Sequence, residues 1–431
     1  MSIYHQKLSA TKRNKKMNIY VEVISREIIK PSTTSTPDDH LHHYKLSCID
    51  QGCPSVYVPL IYFYSLDDHK LSNKEKFSHL KTSLSQVLNH YYPLAGIVKD
   101  TYVERNNGGV LVLEAQVNCQ LSEFLQNPLP SEFIKLLPDG VDDLVLGIQV
   151  NFFNCGSIAI GARISHKVAD ASSMTTFIKN WAETARGKGD KVRPEFAGVA
   201  LFPPRDGIRP AVLTFENNIV LKRFVFSNSK IAELKGKYSK MEPPTRYKVI
   251  LSFIWSRFAA STELKKGSYG LITPVNLRKK MDPPLSDNSF GNIITSVLTI
   301  ISSSENDTWK ECYDCDLVNK LTESISKINK DHIQKLKDGT AGSYYSKEKL
   351  VYFSASSFCG YPVYDTDFGW GRPTWVVYGG LPYKNSIIFM DTKNGDGIEA
   401  WIHLTEDDMA KFESDKELLA YASPMHPDIY I

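Results

Sequence analysis

The chain has 431 residues, 42% of them hydrophobic, and its 51 lysines and arginines against 48 aspartates and glutamates give a formal net charge of +3 at pH 7. This length exceeds the usual size of a single hydrophobic core, so we expect two domains. The charge is spread along the chain and gives no reason to expect a nucleic acid partner. No apolar run of about 18 residues is present, so we expect no membrane span.

The beginning of the chain and its cysteines indicate where the protein works. The first sixteen residues are basic and lack the apolar core of a secretory signal, so we expect residues 1–16 to be a disordered extension. Seven cysteines, an odd number, favour a reducing compartment, and we expect the protein in the cytoplasm. Cys312 and Cys315 have the spacing of a zinc half-site and residues 40–43 hold three histidines, but neither group has a partner at metal-ligand spacing. We therefore expect no metal site.

The first half of the chain mixes strands and helices. In residues 157–164, Ile158, Ile160 and Ile164 recur at period two and predict a strand, whereas apolar residues at spacings of three and four predict a helix over 174–185. The other predicted elements are a strand over Tyr20 to Lys30, a helix around Lys74 to His90, and strands around Val110 to Glu114 and Leu144 to Phe153.

A histidine and an aspartate four residues apart, His166 and Asp170, lie between that strand and that helix. Imidazole titrates near neutrality, so His166 can take a proton from a hydroxyl and return it to a leaving group. Asp170 can either orient the ring or turn away and fix the loop, and the spacing leaves both roles open. The spacing alone also fits a purely structural histidine.

Glycine- and proline-rich segments over residues 187–207 interrupt the pattern and mark the boundary between domains. We predict an N-terminal domain over 17–190, a crossover loop over 191–215 and a C-terminal domain over 216–431. The predicted elements of the second half are a strand over Ile219 to Phe226, helices over Ser229 to Lys240 and Thr245 to Thr262, a polar helix around Leu317 to Asp338, and strands near Ile387 to Met390 and Ile398 to Leu404.

A second motif, Asp367-Phe368-Gly369-Trp370-Gly371, places two glycines and two aromatic residues beside one carboxylate. Glycine permits backbone conformations that other residues avoid. A phosphate-binding glycine loop would lead into a helix, but residues 374–378 are predicted to form a strand, which disfavours a nucleotide site.

The two motifs in this order resemble those of the plant BAHD family of CoA-dependent acyltransferases. Further segments are similar to family landmarks: residues 31–37, Leu46 to Gln51, Tyr91 to Gly96, Val275 to Arg278 and Ser289 to Asn292. Residues 165–170 and 391–401 look most like the alkaloid O-acetyltransferase branch that includes vinorine synthase. Ile293 stands where anthocyanin malonyltransferases typically have cysteine.

The resemblance implies an α/β fold of two similar domains, each a mixed sheet flanked by helices as in chloramphenicol acetyltransferase, with the active site at the domain interface. It implies a monomeric O-acyltransferase with no permanently bound cofactor. Its acyl-CoA co-substrate is expected to be acetyl-CoA and its acceptor an alkaloid alcohol. The alternatives are a malonyl-CoA donor, whose carboxylate could be met by Arg163 or Arg372, and a catalytically idle binding homologue.

The resemblance also implies roles for individual residues. His166 is the base, while Asp170 turns away from the substrate and pairs with Arg278. The residues implied to shape the active site from the second motif are Asp367, Gly369, Trp370 and Gly371. The residues predicted to contact CoA are Thr245, Ser252 and Trp370. A competing nucleophilic mechanism would use Cys155 or Cys359, but no Gly-x-Ser-x-Gly elbow accompanies either cysteine.

Overall fold

A computed structural model describes most of the chain. The described residues are 18–33, 43–65, 71–105, 108–126, 129–189, 193–211, 218–237, 244–262, 267–302, 313–341, 350–380 and 383–423. The predicted extension, residues 1–16, lies outside them, as do Cys312 and part of the predicted crossover loop.

Strands and helices follow one another throughout the described residues. The strands are β1 (Val21–Ile29), β2 (His43–Lys45), β3 (Tyr57–Tyr64), β4 (Ile97–Val98), β5 (Tyr102–Glu104), β6 (Val110–Val117), β7 (Leu146–Phe153), β8 (Ile158–Ser165), β9 (Ile219–Phe226), β10 (Ser268–Asn276), β11 (Ile294–Ser302), β12 (Val351–Ser357), β13 (Trp375–Tyr378), β14 (Ser386–Asp391) and β15 (Ile398–Thr405). The helices are α1 (Cys48–Gly52), α2 (Asn73–Val87), α3 (Leu121–Gln126), α4 (Pro130–Phe133), α5 (Ala171–Ala185), α6 (Gly198–Leu201), α7 (Asn228–Lys237), α8 (Arg246–Ser261), α9 (Tyr313–Ser326), α10 (Lys330–Asp338), α11 (Glu406–Glu413) and α12 (Lys416–Tyr421).

Two six-stranded mixed sheets organise the molecule. The first has the order β1-β6-β7-β8-β3-β13 and the second the order β11-β10-β12-β14-β15-β9. Helices α2 and α5 contribute Leu84 and Trp181 to the core of the first sheet, and α8 contributes Phe253 to the core of the second. The predicted fold class, two mixed sheets flanked by helices, is confirmed.

Strand β13 comes from the second half of the chain but completes the first sheet. It pairs antiparallel with β3, so that Trp375 lies opposite Phe63, and the two rings stack with centroids 5.8 Å apart. The indole of Trp375 also donates to Glu399 on β15 of the second sheet, at 3.1 Å. The domain limits remain a prediction from the sequence. They do not take into account that a strand of the second half completes the first sheet.

Most of the other elements lie where the local sequence pattern predicts them, and one predicted helix is wrong. Strand β9 has the predicted limits, and β1, β7, β8, α2, α5 and α8 lie within a few residues of theirs. The single polar helix predicted around Leu317 to Asp338 is wrong, because the structure has two helices there. Asn329 adopts an extended conformation and its side chain accepts a hydrogen bond from the backbone of His332, so it caps α10 and separates it from α9.

Candidate active site

A cavity of about 1210 Å³ lies between the two halves of the molecule. Single small-molecule sites usually have volumes of about 300–1,000 Å³, so this cavity is larger than a typical site for one ligand. Its lining from the first half includes Cys48, Ile49, Cys53, His166 and Met174. Its lining from the second half includes Tyr247, Asn276, Ser354, Ser356, Cys359 and Tyr383, and the crossover adds Arg205 and Ile208.

His166 lies at the end of β8 and its ring lines the cavity. Its backbone nitrogen donates to the carbonyl of Val56 at 2.9 Å, which fixes the residue beside β3. The ring nitrogen Nδ1 is enclosed and has no hydrogen-bond partner among the described residues. Burial lowers the pKa of His166 below its ordinary value, although its own backbone, the charge of Asp170 and the side chain of Asn292 act in the opposite direction. The ring is therefore neutral at neutral pH, as a proton acceptor must be.

Asp170 is occupied by contacts that point away from the imidazole. Its Oδ1 accepts from the backbone nitrogen of Ser173 at 2.9 Å and so caps α5. Arg278 binds the same carboxylate with both terminal nitrogens, at 2.7 and 3.1 Å, and the arginine side chain is completely buried. Of the two roles that the spacing left open, this geometry favours fixing the loop.

Asn292 and Asp50 both lie near His166, but in the sequence they stood out only as members of segments similar to the family. The side-chain nitrogen of Asn292 donates to the backbone carbonyl of His166 at 2.8 Å and to Asp50 Oδ1 at 2.8 Å. Asp50 is buried in α1, whose residues Ile49 and Gly52 line the cavity. Landmark segments at residues 46–51 and 289–292 were the available signal, but nothing in their spacing indicates that they meet at His166.

The second motif forms a tight turn next to the first core. Asp367 Oδ1 accepts from the backbone nitrogens of Gly369 at 2.8 Å and Gly371 at 2.9 Å, and both glycines have positive φ, 112° and 98°. Trp370 is buried, stacks on Phe368 and does not line the cavity. Phe368 and Trp370 of the motif thus belong to the first core, and the contact from Trp370 to CoA stays a prediction.

Thr245 and Ser252, which were predicted to contact CoA, do not line the cavity. The Thr245 side chain caps α8 by accepting from the backbone of Lys248, and it does not line the cavity. Ser252 is completely buried within the second core, and its hydroxyl has no partner among the described residues. The packed face of α8 covers Ser252, and a contact from this residue to CoA stays a prediction that the arrangement does not support.

The groups behind the alternative mechanisms lie outside the cavity or are unreactive. Arg163 and Arg372 do not line the cavity, and Arg372 is exposed and pairs with Asp365 at 3.3 Å. Cys155 does not line it either. Cys359 does, but burial and the charge of Asp391 raise the pKa of its thiol to about 12, which leaves little thiolate at neutral pH.

The residues that the structure describes show neither a cluster of metal ligands nor a helix suited to a membrane. They contain no group of three or more histidine, cysteine, aspartate or glutamate side chains that could hold a metal ion. None of the helices described there is both long enough and apolar enough to cross a membrane.

Comparisons with known proteins agree with this geometry. A family model described as the transferase family matches residues 19–419. Stemmadenine O-acetyltransferase of Catharanthus roseus is 36% identical over 92% of this chain and 96% of its own. Vinorine synthase of Rauvolfia serpentina is 36% identical over 90% of this chain and 95% of its own, and its crystal structure matches with a TM-score of 0.83 over 94% of this chain and 99% of that one. An N-malonyltransferase of Strychnos nux-vomica, named for 17,18-epoxy-17-hydroxycur-19-ene, is 34% identical over 94% of this chain and 90% of its own.

The two mixed sheets, the histidine in the cavity and these relatives together place the chain among the CoA-dependent acyltransferases, with the two-domain fold of vinorine synthase. Within that class, the chain belongs to the transferase family of BAHD acyltransferases.

Proposed function

We propose that this enzyme transfers the acetyl group of acetyl-CoA to a hydroxyl group of an alkaloid, with His166 as the general base. The observation that carries the proposal is the position of His166, a partly buried imidazole with a lowered pKa on the wall of a cavity lined by both halves of the chain. The names of stemmadenine O-acetyltransferase and vinorine synthase support the substrate class.

The reaction needs one proton acceptor and close placement of two substrates. Because Nδ1 of His166 is enclosed, Nε2 is the nitrogen that can reach the acceptor hydroxyl. It removes the hydroxyl proton as the oxygen attacks the thioester carbonyl, and the tetrahedral intermediate collapses by breaking the carbon–sulfur bond. The imidazolium then protonates the CoA thiolate. No covalent enzyme intermediate is required, since holding both substrates in one cavity supplies much of the rate.

The remaining residues of the two motifs hold this base in place. Asp170 and Arg278 tie the start of α5 to the segment after β10. Asp367 with its two glycines closes a turn against the first core, and Trp370 packs inside it. Thr245 remains a predicted contact for CoA outside the cavity.

The lining of the cavity suggests how the two substrates divide it. The hydroxyl groups of Ser354 and Ser356 suit the amides in the pantetheine arm of CoA. Apolar side chains suit the carbon skeleton of an alkaloid; they are those of Ile49, Ile208, Ile325 and Leu336.

A malonyl donor is the second candidate, because one relative is named as an N-malonyltransferase. Malonyl transfer needs a free cation near the donor. Arg205 lines the cavity, but its guanidinium donates to the backbone carbonyls of Leu336 and Lys337. Lys327 lines it too and pairs with Glu323 at 2.9 Å. We prefer acetyl-CoA as the donor because the relative named as an O-acetyltransferase is 36% identical and the one named as a malonyltransferase 34%, and an idle homologue is disfavoured because the base is present.

We also propose that the enzyme is a cytoplasmic monomer. Support for a reducing compartment comes from five free cysteines among the described residues: Cys48, Cys53, Cys119, Cys155 and Cys359. Light scattering after size-exclusion chromatography tests the monomer, and microscopy of a fluorescent fusion in plant cells tests the compartment.

The decisive experiment incubates the purified protein with acetyl-CoA or malonyl-CoA and a panel of alkaloid, terpenoid and phenolic alcohols that includes stemmadenine, with mass spectrometry of the products. His166→Ala should lower the rate by about 10²- to 10⁴-fold, because general-base catalysis supplies a factor of that size. His43→Ala, an exposed histidine of β2, is the matched control and should keep the wild-type rate. A folded His166→Ala variant with near-normal turnover would contradict the mechanism.

A further inference from the structure

Asp50 is a buried carboxylate with four hydrogen bonds and no ion-pair partner among the described residues. Its Oδ2 accepts from the backbone nitrogen of Ser47 at 2.9 Å and from the Ser47 hydroxyl at 2.6 Å. Its Oδ1 accepts from the backbone nitrogen of Asn292 at 2.9 Å and from the Asn292 side chain at 2.8 Å. The residue is 1% exposed. A charge without a cation in such a position needs an explanation, because burial disfavours it.

Helix capping alone does not explain it. Ser47 and Asp50 form a capping box at the start of α1, and Ser72 and Glu75 form the same motif at the start of α2. Glu75 is exposed, and the hydrogen bonds recorded for its side chain go to Ser72. A capping box therefore works on the surface of this protein, and only the buried one reaches across to a distant segment of the chain.

That distant segment contacts the base. The Asn292 side chain donates both to Asp50 and to the backbone carbonyl of His166. The next residue, Ile293, donates its backbone nitrogen to Asp170 at 3.1 Å. Two carboxylates thus hold adjacent residues of one segment, which in turn holds the loop of the catalytic histidine.

The cost of ionising Asp50 argues for a role beyond stability. Burial raises the pKa of Asp50 to about 6, even though its hydrogen bonds to Ser47 and Asn292 act in the opposite direction. The ionised form therefore makes folding less favourable at neutral pH than a group with an ordinary pKa would. In return the carboxylate accepts hydrogen bonds on both sides, which a neutral amide cannot do.

We propose that Asp50 is a positioning residue that fixes His166 through Asn292. This rests on the proposed function of His166 as the base. It makes Asp50 part of the acyl-transfer machinery without contact to either substrate.

A double-mutant cycle on the full-length enzyme tests the proposal, with Asp50→Asn, Asn292→Ala and the double variant. The substrates are acetyl-CoA and whichever panel alcohol the wild type acetylates fastest. Each single substitution should lower kcat about 10- to 100-fold. This is less than the whole contribution of general-base catalysis, because His166 itself is still present. The KM for acetyl-CoA should stay within about threefold. The double variant should lose little more than the worse single variant, because both act through one pathway.

Glu75→Gln is the matched control, since it makes the same carboxylate-to-amide change in the exposed capping box and should keep the wild-type kcat. If Asp50→Asn does not fold, Asn292→Ala still tests the pathway, because it leaves the capping box of α1 intact. Wild-type kcat in a folded Asp50→Asn or Asn292→Ala variant, or multiplicative losses in the double variant, would overturn the proposal. An inactive wild type would instead overturn the proposed function.

Discussion

At His166, burial and nearby charge act in opposite directions on the protonation equilibrium. Removal from water favours the neutral ring, and the carboxylate of Asp170 favours the protonated one. Arg278 binds that carboxylate with two hydrogen bonds, and this pairing weakens the influence of Asp170 on the ring. Asp170 therefore supports the loop while leaving the base neutral.

The pH dependence of acyl transfer follows from this balance. Because the pKa of His166 is lowered from 6.5, kcat/KM should fall on acidification with a midpoint below pH 6.5. The measurement is a pH profile from about pH 5 to pH 8, checked for folding at each point. Asp50 titrates at about 6 in the folded protein, so the profile of Asp50→Asn separates the two groups. That variant should keep the acidic fall at a lower overall rate, and a midpoint above pH 6.5 in the wild type would contradict the burial argument.

At the scale of elements, the turn of the second motif depends on one side-chain oxygen. Asp367 Oδ1 accepts both glycine nitrogens, while its Oδ2 makes a partly exposed contact to Arg186 at 3.4 Å. No charge is needed to accept a hydrogen bond. The turn therefore requires an oxygen at this position more than it requires a carboxylate.

Two substitutions at Asp367 distinguish these requirements. Asp367→Asn keeps an oxygen for both glycines and loses a surface ion pair, so it should cost less than about 1 kcal/mol of unfolding free energy. Asp367→Ala removes both hydrogen bonds and should cost about 1–3 kcal/mol, with a matching loss of activity. Urea unfolding and kcat should be measured on both variants. An inactive but fully stable Asp367→Asn would show that the charge itself is required.

Elements with a strong local pattern were predictable from the sequence, and pairings between distant segments were not. The alternation around Ile160 and the helical spacing up to Trp181 located β8 and α5, and hence His166 at their junction. Strands β3, β10, β11 and β12 were not predicted; β3, for example, is buried along nearly its whole length and shows no alternation. The links from Asn292 to Asp50 and His166 depend on tertiary packing, which no periodicity in one chain reports.

Across the whole molecule, a buried ion pair within the second sheet also contacts Trp375 of the first sheet. Glu399 on β15 binds Arg223 on β9 at 2.8 and 2.7 Å, and it also accepts from the indole of Trp375 on β13. The Glu399 side chain is only 3% exposed. The contact therefore connects a strand of the first sheet to two strands of the second.

Glu399→Gln should destabilise the protein by roughly 3–5 kcal/mol, because it leaves Arg223 without a counter-charge in a buried site. Glu413→Gln is the matched control; Glu413 pairs with Lys222 on the same strand β9, but that pair is exposed and should contribute less than about 1 kcal/mol. Denaturant unfolding of both variants measures the difference. Equal, small effects would mean that the buried pair contributes no more to stability than the exposed one.

Because β13 comes late in the chain, the first sheet cannot be completed until most of the protein has been synthesised. A ribosome releases the residues of β3 long before those of β13, so the nascent first sheet presents β3 as an open edge, and Phe63 lacks its stacking partner Trp375. That edge closes only when most of the second half has been made. The two halves therefore cannot mature one after the other as independent units, and a nascent chain stalled at the crossover carries an unfinished sheet that chaperones must shield from aggregation.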